Sequence, residues 1–184
     1  MNATLRHRGP DQDGVLCADG VGLAMRRLSI IGVADGRQPL FDERGDVAVV
    51  MNGEIYNYAA LRADLRARGH VFRTGSDVEV AVHLYEERGE AFVEALQGMF
   101  AYALYDRRRR VLLLGRDRLG KKPLYWAERH GVLVFGSRSR RCSPRACATT
   151  PSMRTGWRPT WPTASSPASG RCTPASPSCR RAAS

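Results

Sequence analysis

Val50-Met-Asn-Gly-Glu-Ile-Tyr-Asn-Tyr58 is the stretch on which the reading of the whole chain turns. The apolar run Val47 to Met51 stops at Asn52-Gly53, and a buried strand meeting a turn dipeptide marks a place where backbone amides become available. Such a strand end can hold a substrate, although Asn-Gly between apolar runs is more often a plain hairpin turn. What decides between the two is the chemistry of the neighbouring segments.

Upstream, Arg6 to Gly14 is a loop by its Gly, Pro and Asp content. Two short strands, Val15 to Ala18 and Val21 to Arg26, are expected to turn on Asp19-Gly20 as a two-residue hairpin. Arg27-Leu28-Ser29-Ile30-Ile31 leaves the second strand, and residues 32–39 are loop. Val47 to Met51 is apolar on both faces, as a strand sandwiched in a core should be. Downstream, Asn57 is placed to cap a helix through Leu61, Leu65 and Ala67 that stops at Gly69. Val71 to Arg73 reads as a short strand. Ser76 and Glu79 have capping-box spacing, opening a helix with Val78, Val82 and Tyr85 on one face. A helical turn over Ala91 to Leu96 leads into four strands, Met99 to Tyr105, Val111 to Leu114, Leu124 to Ala127 and Val132 to Phe135. Strands and helices do not alternate, which argues for an α+β domain of antiparallel sheets with helices packed outside.

The composition divides the chain near Gly136. Residues 1–136 hold 20 Lys+Arg against 18 Asp+Glu, whereas residues 137–184 hold 9 Arg, no Lys and no acid. The formal charge of +11 therefore belongs mostly to the last segment. That segment contains no Leu, Ile, Val, Phe or Tyr, so it cannot bury enough apolar surface to offset an ordering cost of about 1–2 kcal/mol per residue, and disorder is expected. Cys142, Cys147, Cys172 and Cys179 lie in it at spacings that match no zinc pattern, so no metal is expected. Cys17 stands alone in the globular part, which fits a reducing compartment. No apolar window is long enough for a membrane span and no signal peptide is evident. A soluble, cytoplasmic protein is expected, with no membrane partner.

Several side chains carry candidate chemistry. Arg27, at the end of an apolar strand, can clamp a carboxylate bidentately, although a solvated Arg beside Arg26 is the commoner case. Asn52 and Gly53 can supply a side-chain amide and a backbone N–H, the two donors that an oxyanion hole needs. Asp77, in the first turn of a helix, is stabilised as an anion and suits a substrate ammonium, or is ordinary helix-start charge. Asp117 reads as a turn carboxylate, and Arg107 to Arg110 as a solvated hairpin turn without the aromatics of a nucleic-acid site. The four histidines are scattered, and none forms a recognisable triad. Together these residues describe a site for a free amino acid attacked at its side-chain carbonyl.

Arg6-His-Arg-Gly-Pro-Asp11, Arg27-Leu-Ser-Ile-Ile31, Gln38-Pro-Leu40, Met51-Asn-Gly-Glu-Ile-Tyr-Asn57, Thr74-Gly-Ser-Asp77, Gly98-Met-Phe-Ala-Tyr-Ala-Leu-Tyr-Asp106 and Gly115-Arg-Asp-Arg-Leu-Gly-Lys-Lys-Pro-Leu-Tyr125 follow in order along the chain. In these motifs residues 3–136 resemble the class II glutamine amidotransferase domain of glutamine-hydrolysing asparagine synthetases. Amidotransferases of bacterial polysaccharide pathways share the motifs. The resemblance implies a four-layer αββα sandwich of antiparallel sheets, the N-terminal-nucleophile hydrolase fold. It implies glutamine as substrate and an N-terminal cysteine as nucleophile, with its own α-amino group as base. Matched motif by motif, Arg27 would hold the α-carboxylate with Leu28, Ile30 and Ile31 alongside. Asn52 and Gly53 would form the oxyanion hole, and Glu54 and Asp77 would secure the amino end. Ammonia would pass to a C-terminal domain that amidates aspartate using ATP and Mg2+. No cofactor is implied for this chain itself, and a homodimer of the full-length parent is an open option.

The sequence departs from that pattern at both ends. Asn2, not Cys, follows Met1, and the family's opening strand is missing, so an amidotransferase domain over residues 1–137 is expected without its nucleophile and without activity. After Ser137, Arg138-Ser-Arg-Arg-Cys-Ser143 stands where the family reads Glu-Ile-Lys-Ala-Leu-Leu, and loss of one nucleotide converts the codons of the second text into the first. Residues 138–184 are therefore expected to be a frameshifted reading of the synthetase domain, an expectation that sequencing the gene decides. The alternative is a catalytically silent amino-acid-binding module whose basic tail holds nucleic acid. The identity of the parent amidotransferase and of its acceptor is not legible in these residues.

Overall fold

In this computed structural model the described residues are 9–28, 35–138 and the pair 180–181. The first two strands, β1 (Gln12–Ala18) and β2 (Val21–Arg27), pair antiparallel from Gln12↔Arg27 to Ala18↔Val21. Their turn is the expected one: Asp19 and Gly20 both take positive φ, 52° and 80°, as a two-residue hairpin matched to strand twist requires.

The central sheet has the order β3 (Leu40–Phe41), β4 (Val47–Ile55), β5 (Gly98–Asp106), β6 (Val111–Arg116), antiparallel throughout. Both faces of β4 and β5 are covered, and strand alternation assigns them. Val47, Val49, Met51, Ile55, Phe100, Tyr102 and Leu104 face α1 (Tyr58–Ala67) and α2 (Val80–Arg88), where they meet Leu65, Val80, Leu84 and Tyr85. Ala48, Val50, Ala103 and Tyr105 face the other way, onto Leu23 and Met25 of the β1–β2 hairpin. A second hairpin, β7 (Tyr125–Arg129) and β8 (Val132–Gly136), packs on that same side through Phe135. Helices lie on one face of the sheet and hairpins on the other, so the fold is mixed α and β with antiparallel sheets. Among the described residues a second helical layer outside the hairpins is not found.

Four local expectations are corrected. The strand does not stop at Met51: β4 continues through Asn52 and Gly53 to Ile55, paired residue by residue with β5, so Asn52-Gly53 is no hairpin turn. Asn57 makes no side-chain cap; its amide donates to Ala95 O at 2.9 Å and its Oδ1 accepts from Gln97 N at 3.0 Å, tying the start of α1 to the segment before β5. Val71 to Arg73 is not a strand, because the N–H groups that a ladder would use are taken by carboxylates, Val71 N by Glu43 and Arg73 N by Glu79. The capping box is half made: Ser76 Oγ accepts from Val78 N at 3.3 Å, but Glu79 reaches back to Arg73 and Thr74 instead of Ser76. Ser76 opens a 3-10 turn, Asp77–Glu79, that runs into α2. The expected disordered tail lies outside the described residues, apart from β9 (Arg180–Arg181), which pairs with Tyr125 and Trp126.

Candidate active site

Backbone parity along β4 singles out one amide. In an antiparallel strand alternate residues direct their N–H and C=O groups to the same side. Residues 47, 49, 51, 53 and 55 share the side of β4 away from β5. There Val47 exchanges bonds with Asp42, its N–H to Oδ1 at 2.9 Å and its carbonyl from Asp42 N at 3.1 Å. β3 covers only Val49 and Ala48, so beyond that point β4 is an edge. The buried amide of Gln38 substitutes for a neighbouring strand at Met51: Oε1 accepts from Met51 N at 2.7 Å and Nε2 donates to Met51 O at 3.1 Å. Ile55 N donates to Asp77 Oδ2 at 2.9 Å. Between these two satisfied amides stands the N–H of Gly53, directed off the same edge and not claimed by an acceptor among the described residues.

Glycine is required there. Gly53 has φ +152°, and a Cβ on it would lie 2.0 Å from Met99 O and 2.6 Å from Phe100 Cα. The close approach of two strands, not a turn, explains the residue. On the even-numbered face Asn52 and Glu54 follow Ala48 and Val50, so alternation sets them toward the β1–β2 hairpin. That hairpin carries Arg27 at the end of β2.

Arg27 is buried, only 7% exposed, and donates to Gln12 Oε1 at 3.1 Å across the hairpin. The reading of a solvated Arg beside Arg26 is therefore set aside. Burial lowers the pKa of its guanidinium, and the charges of Asp77, then Asp35 and Asp11, oppose that shift. Arg27 and Asp77, far apart in sequence, thus lie within one electrostatic field. Asp77 is 4% exposed and is placed by its neighbourhood. Arg62 of α1 donates to Thr74 O at 3.0 Å and Ser76 O at 2.5 Å, and Thr74 Oγ1 donates to Glu79 Oε2 at 2.6 Å. Burial works to raise the pKa of Glu79, but His83, Thr74 and the N–H groups of Arg73 and Thr74 outweigh it and hold the carboxyl down to about 2. The loop before Asp77 is thus wrapped around an ionised side chain.

Of the residues singled out from sequence, the structure brings Arg27, Asn52, Gly53, Glu54 and Asp77 to one region between β2, the end of β4 and the start of α2. Leu28 is exposed at 59%, and Ile30 and Ile31 lie outside the described residues. Asp117 is a turn carboxylate, as expected: it accepts from Lys121 N, Lys122 N and Phe100 N and is buried at the end of β6. Arg107 to Arg110 form the β5–β6 turn, paired with Asp19, Asp46 and Glu90. The concave patch there, lined by Asp19, Asp46, Arg107, Arg108 and Arg110, sits at the other end of β4, and its walls carry the Arg107–Asp19 and Arg108–Asp46 ion pairs. In the sequence Gln38 stands out only as part of the Gln38-Pro-Leu40 motif and Glu79 only as half of a capping box, and the roles they take here arise from distant segments of chain. The convergence of His70 and His83, created only by the packing of α1 against α2, has no sequence signal.

The chain is similar to several known proteins. Residues 1–154 match the glutamine amidotransferase domain family. The chain is 46% identical over 145 residues to asparagine synthetase B (glutamine-hydrolysing) of Escherichia coli strain K12, covering 78% of this chain and 26% of that protein. It is 50% identical over 125 residues to asparagine synthetase 3 (glutamine-hydrolysing) of Arabidopsis thaliana, covering 68% of this chain and 21% of that protein. The chain thus spans about a fifth to a quarter of the length of these curated relatives. Among solved structures, glutamine phosphoribosylpyrophosphate amidotransferase of B. subtilis is similar in fold, with a TM-score of 0.58 at 22% identity over 73% of this chain and 37% of that one. Among the described residues no helix is long and apolar enough to cross a membrane.

Proposed function

This chain belongs to the glutamine amidotransferase domain family, and from that premise we propose that it forms the glutamine-binding pocket of the glutaminase half-reaction of an asparagine synthetase. The observation that carries the reading is the edge of β4, where the amides on either side of Gly53 are bonded internally and its own is aimed outward. An amino acid lying along that edge meets Arg27 with its α-carboxylate and Asp77 with its ammonium. The two protein charges that feel one another across this region are then separated by the two charges of the ligand, each neutralising its partner. Glu54 adds a second carboxylate at the amino end, and the family resemblance assigns Leu28, Ile30 and Ile31 to the carboxylate end.

In this pose the side-chain carbonyl reaches Asn52 and Gly53. When a thiolate adds to that carbon, the carbonyl π electrons move to oxygen. The resulting oxyanion gains the Asn52 amide and the Gly53 N–H as donors held in advance, an arrangement worth about 2.7–4 kcal/mol per donor in comparable enzymes. Collapse of the adduct expels the amide nitrogen, which takes up a proton and leaves as ammonia, and water then hydrolyses the thioester. The thiolate in this scheme is an N-terminal cysteine, as the family resemblance implies. Among the described residues the only cysteine, Cys17, is exposed on β1. The domain over residues 1–137, the four-layer arrangement of the complete parent, its cytoplasmic setting and its amidation of aspartate with ATP and Mg2+ in a further domain belong to the same proposal. The described residues take no part in the ATP chemistry.

Isothermal titration of the chain with glutamine tests the pocket. A buried charge-assisted contact contributes about 1.5–3 kcal/mol, so Arg27→Ala should weaken binding by roughly 10–150-fold. Equal affinity in the variant, or no binding by the unaltered chain, overturns the reading.

A further inference from the structure

On the helical side of the central sheet three separate segments converge on one point. Glu43 lies in the turn between β3 and β4, and His70 follows the end of α1, held there by its N–H to Leu65 O at 3.1 Å. His83 and Glu86 stand three apart on α2, hence on one face of the helix. One ligand atom from each of the four residues falls within 4.8 Å of all the others. The separations between unlike groups are tighter. His70 Nδ1 is 3.2 Å from Glu43 Oε1 and 3.7 Å from Glu86 Oε2, and His83 Nδ1 is 3.3 Å from Glu43 Oε2 and 3.4 Å from Glu86 Oε2. A tetrahedral ion with bonds of ~2.0–2.1 Å to nitrogen and oxygen requires ligand atoms ~3.3–3.4 Å apart.

We propose that Glu43, His70, His83 and Glu86 form a binding site for a first-row divalent metal ion, with Zn2+ as its best-suited occupant. Two imidazoles and two carboxylates without a thiolate are ligands that zinc and its neighbours accept. The surroundings are those of a ligand set. Each histidine presents Nδ1 to the common point, and its other nitrogen faces a carboxylate outside it: His70 Nε2 lies 3.2 Å from Glu87 Oε1, and His83 Nε2 lies 3.9 Å from Glu79 Oε1. The Glu87 carboxylate is within hydrogen-bond distance and fixes the His70 tautomer that leaves Nδ1 free to ligate, whereas His83 Nε2 is buried without a hydrogen-bond partner among the described residues and has only the charge of Glu79 nearby. Glu87 is in turn held by Arg68 at 3.3 Å, and Glu43 by Val71 N at 3.0 Å. His83 is 1% exposed and its ring packs on Phe72 with centroids 4.4 Å apart, so one ligand is rigid and dry. Two carboxylates directed at the same point favour a cation between them, a place that the ion would take.

The site is distinct from the amino-acid pocket and revises the expectation, drawn from cysteine spacing, that the chain carries no metal ligands. Its consequence is mechanical. One ion would tie the β3–β4 turn, the end of α1 and α2 together, and α2 is the element that continues from Asp77. None of the three residues replaced in the test variants lines the pocket.

The full chain, stripped with a chelator, is titrated with Zn2+ by calorimetry and with Co2+ by absorption. The proposal expects one equivalent bound by the unaltered chain that is lost in His70→Ala and in Glu86→Gln, both at partly exposed positions. It expects Co2+ bands of a tetrahedral site without thiolate charge transfer, and a higher unfolding midpoint with Zn2+. Glu87→Gln removes no ligand and is expected to weaken Zn2+ by at least ~10-fold, a readout that does not depend on the ligand variants folding. Unchanged stoichiometry and affinity in these variants overturns the proposal. So does a Co2+ spectrum composed only of thiolate bands, which would place the metal on the cysteines of residues 142–179.

Discussion

Replacing Gly53 by alanine adds one methyl group at the point where β4 and β5 come closest. The new carbon would sit 2.0 Å from Met99 O, more than 1 Å inside ordinary contact, and 2.6 Å from Phe100 Cα. Both obstructing atoms are backbone, so a rotamer change cannot relieve the clash. Alanine at φ +152° adds strain of about 1–3 kcal/mol. Separating the strands enough to admit the methyl weakens the ladder around Asn52↔Ala101 and Glu54↔Met99, for a total loss on the order of 3–5 kcal/mol. At ~2–4 °C per kcal/mol for domains of this size, the midpoint of thermal unfolding should fall by roughly 6–20 °C. Circular dichroism measures the midpoint, and amide exchange at Phe100 and Ala101 reports whether the ladder opens locally. Asn52→Ala, one residue away at a half-buried position, should change stability by less than about 1 kcal/mol and is the control. A fall of under ~3 °C for Gly53→Ala, with exchange unchanged, would refute the claim that close strand approach fixes the glycine.

Two further substitutions separate the structural from the binding role of a carboxylate. Asp77→Asn keeps an oxygen for Ile55 N–H but removes the charge, so glutamine affinity should drop at least ~10-fold while stability changes by less than about 1 kcal/mol; equal losses in both measurements would make Asp77 purely structural. Asp117 is raised by burial, but the N–H groups of Lys121, Lys122, Phe100 and Leu119 outweigh that effect and hold its pKa below the ordinary 3.8. A depressed carboxylate contributes stability above its unfolded pKa and loses it as pH falls through the folded value. The stability difference between the unaltered chain and Asp117→Asn, about 1–3 kcal/mol near neutral pH, should therefore shrink below about pH 4; a difference independent of pH contradicts this.

What could be read from the residues follows from how local the cause is. Asp19-Gly20 was legible because positive φ at both turn positions is a property of the dipeptide itself. Asn52-Gly53 carries the same signature but means something else, since the glycine answers to Met99 and Phe100, which reach it through sheet pairing. Asn57 has the chemistry of a cap, yet its amide is used on Ala95 and Gln97. Val71 to Arg73 has strand-like residues, but Glu43 and Glu79 claim its N–H groups first. The substrate residues were legible as a set of charges and donors, with Arg27 in particular standing at the end of an apolar strand. Their convergence was not, because it depends on Gln38 acting in place of a strand beside Met51 and on Asp77 bonding Ile55. The cluster of Glu43, His70, His83 and Glu86 has no sequence spacing of its own outside α2, so only the packed structure discloses it.

The pairing of β4 with β5 also bears on how the chain reaches this state. Register from Val47↔Asp106 to Ile55↔Gly98 joins strands whose connection includes both α-helices. The β1–β2 and β5–β6 hairpins close over a few residues and can form within about 1–10 μs, whereas the central pair must first lose the entropy of a long closed loop. The rate-limiting barrier is therefore expected to contain β4 against β5 with α1 and α2 already gathered beside them. Until that pairing is complete, the edge that holds Gly53 does not exist, and the pocket is among the last features of the molecule to form.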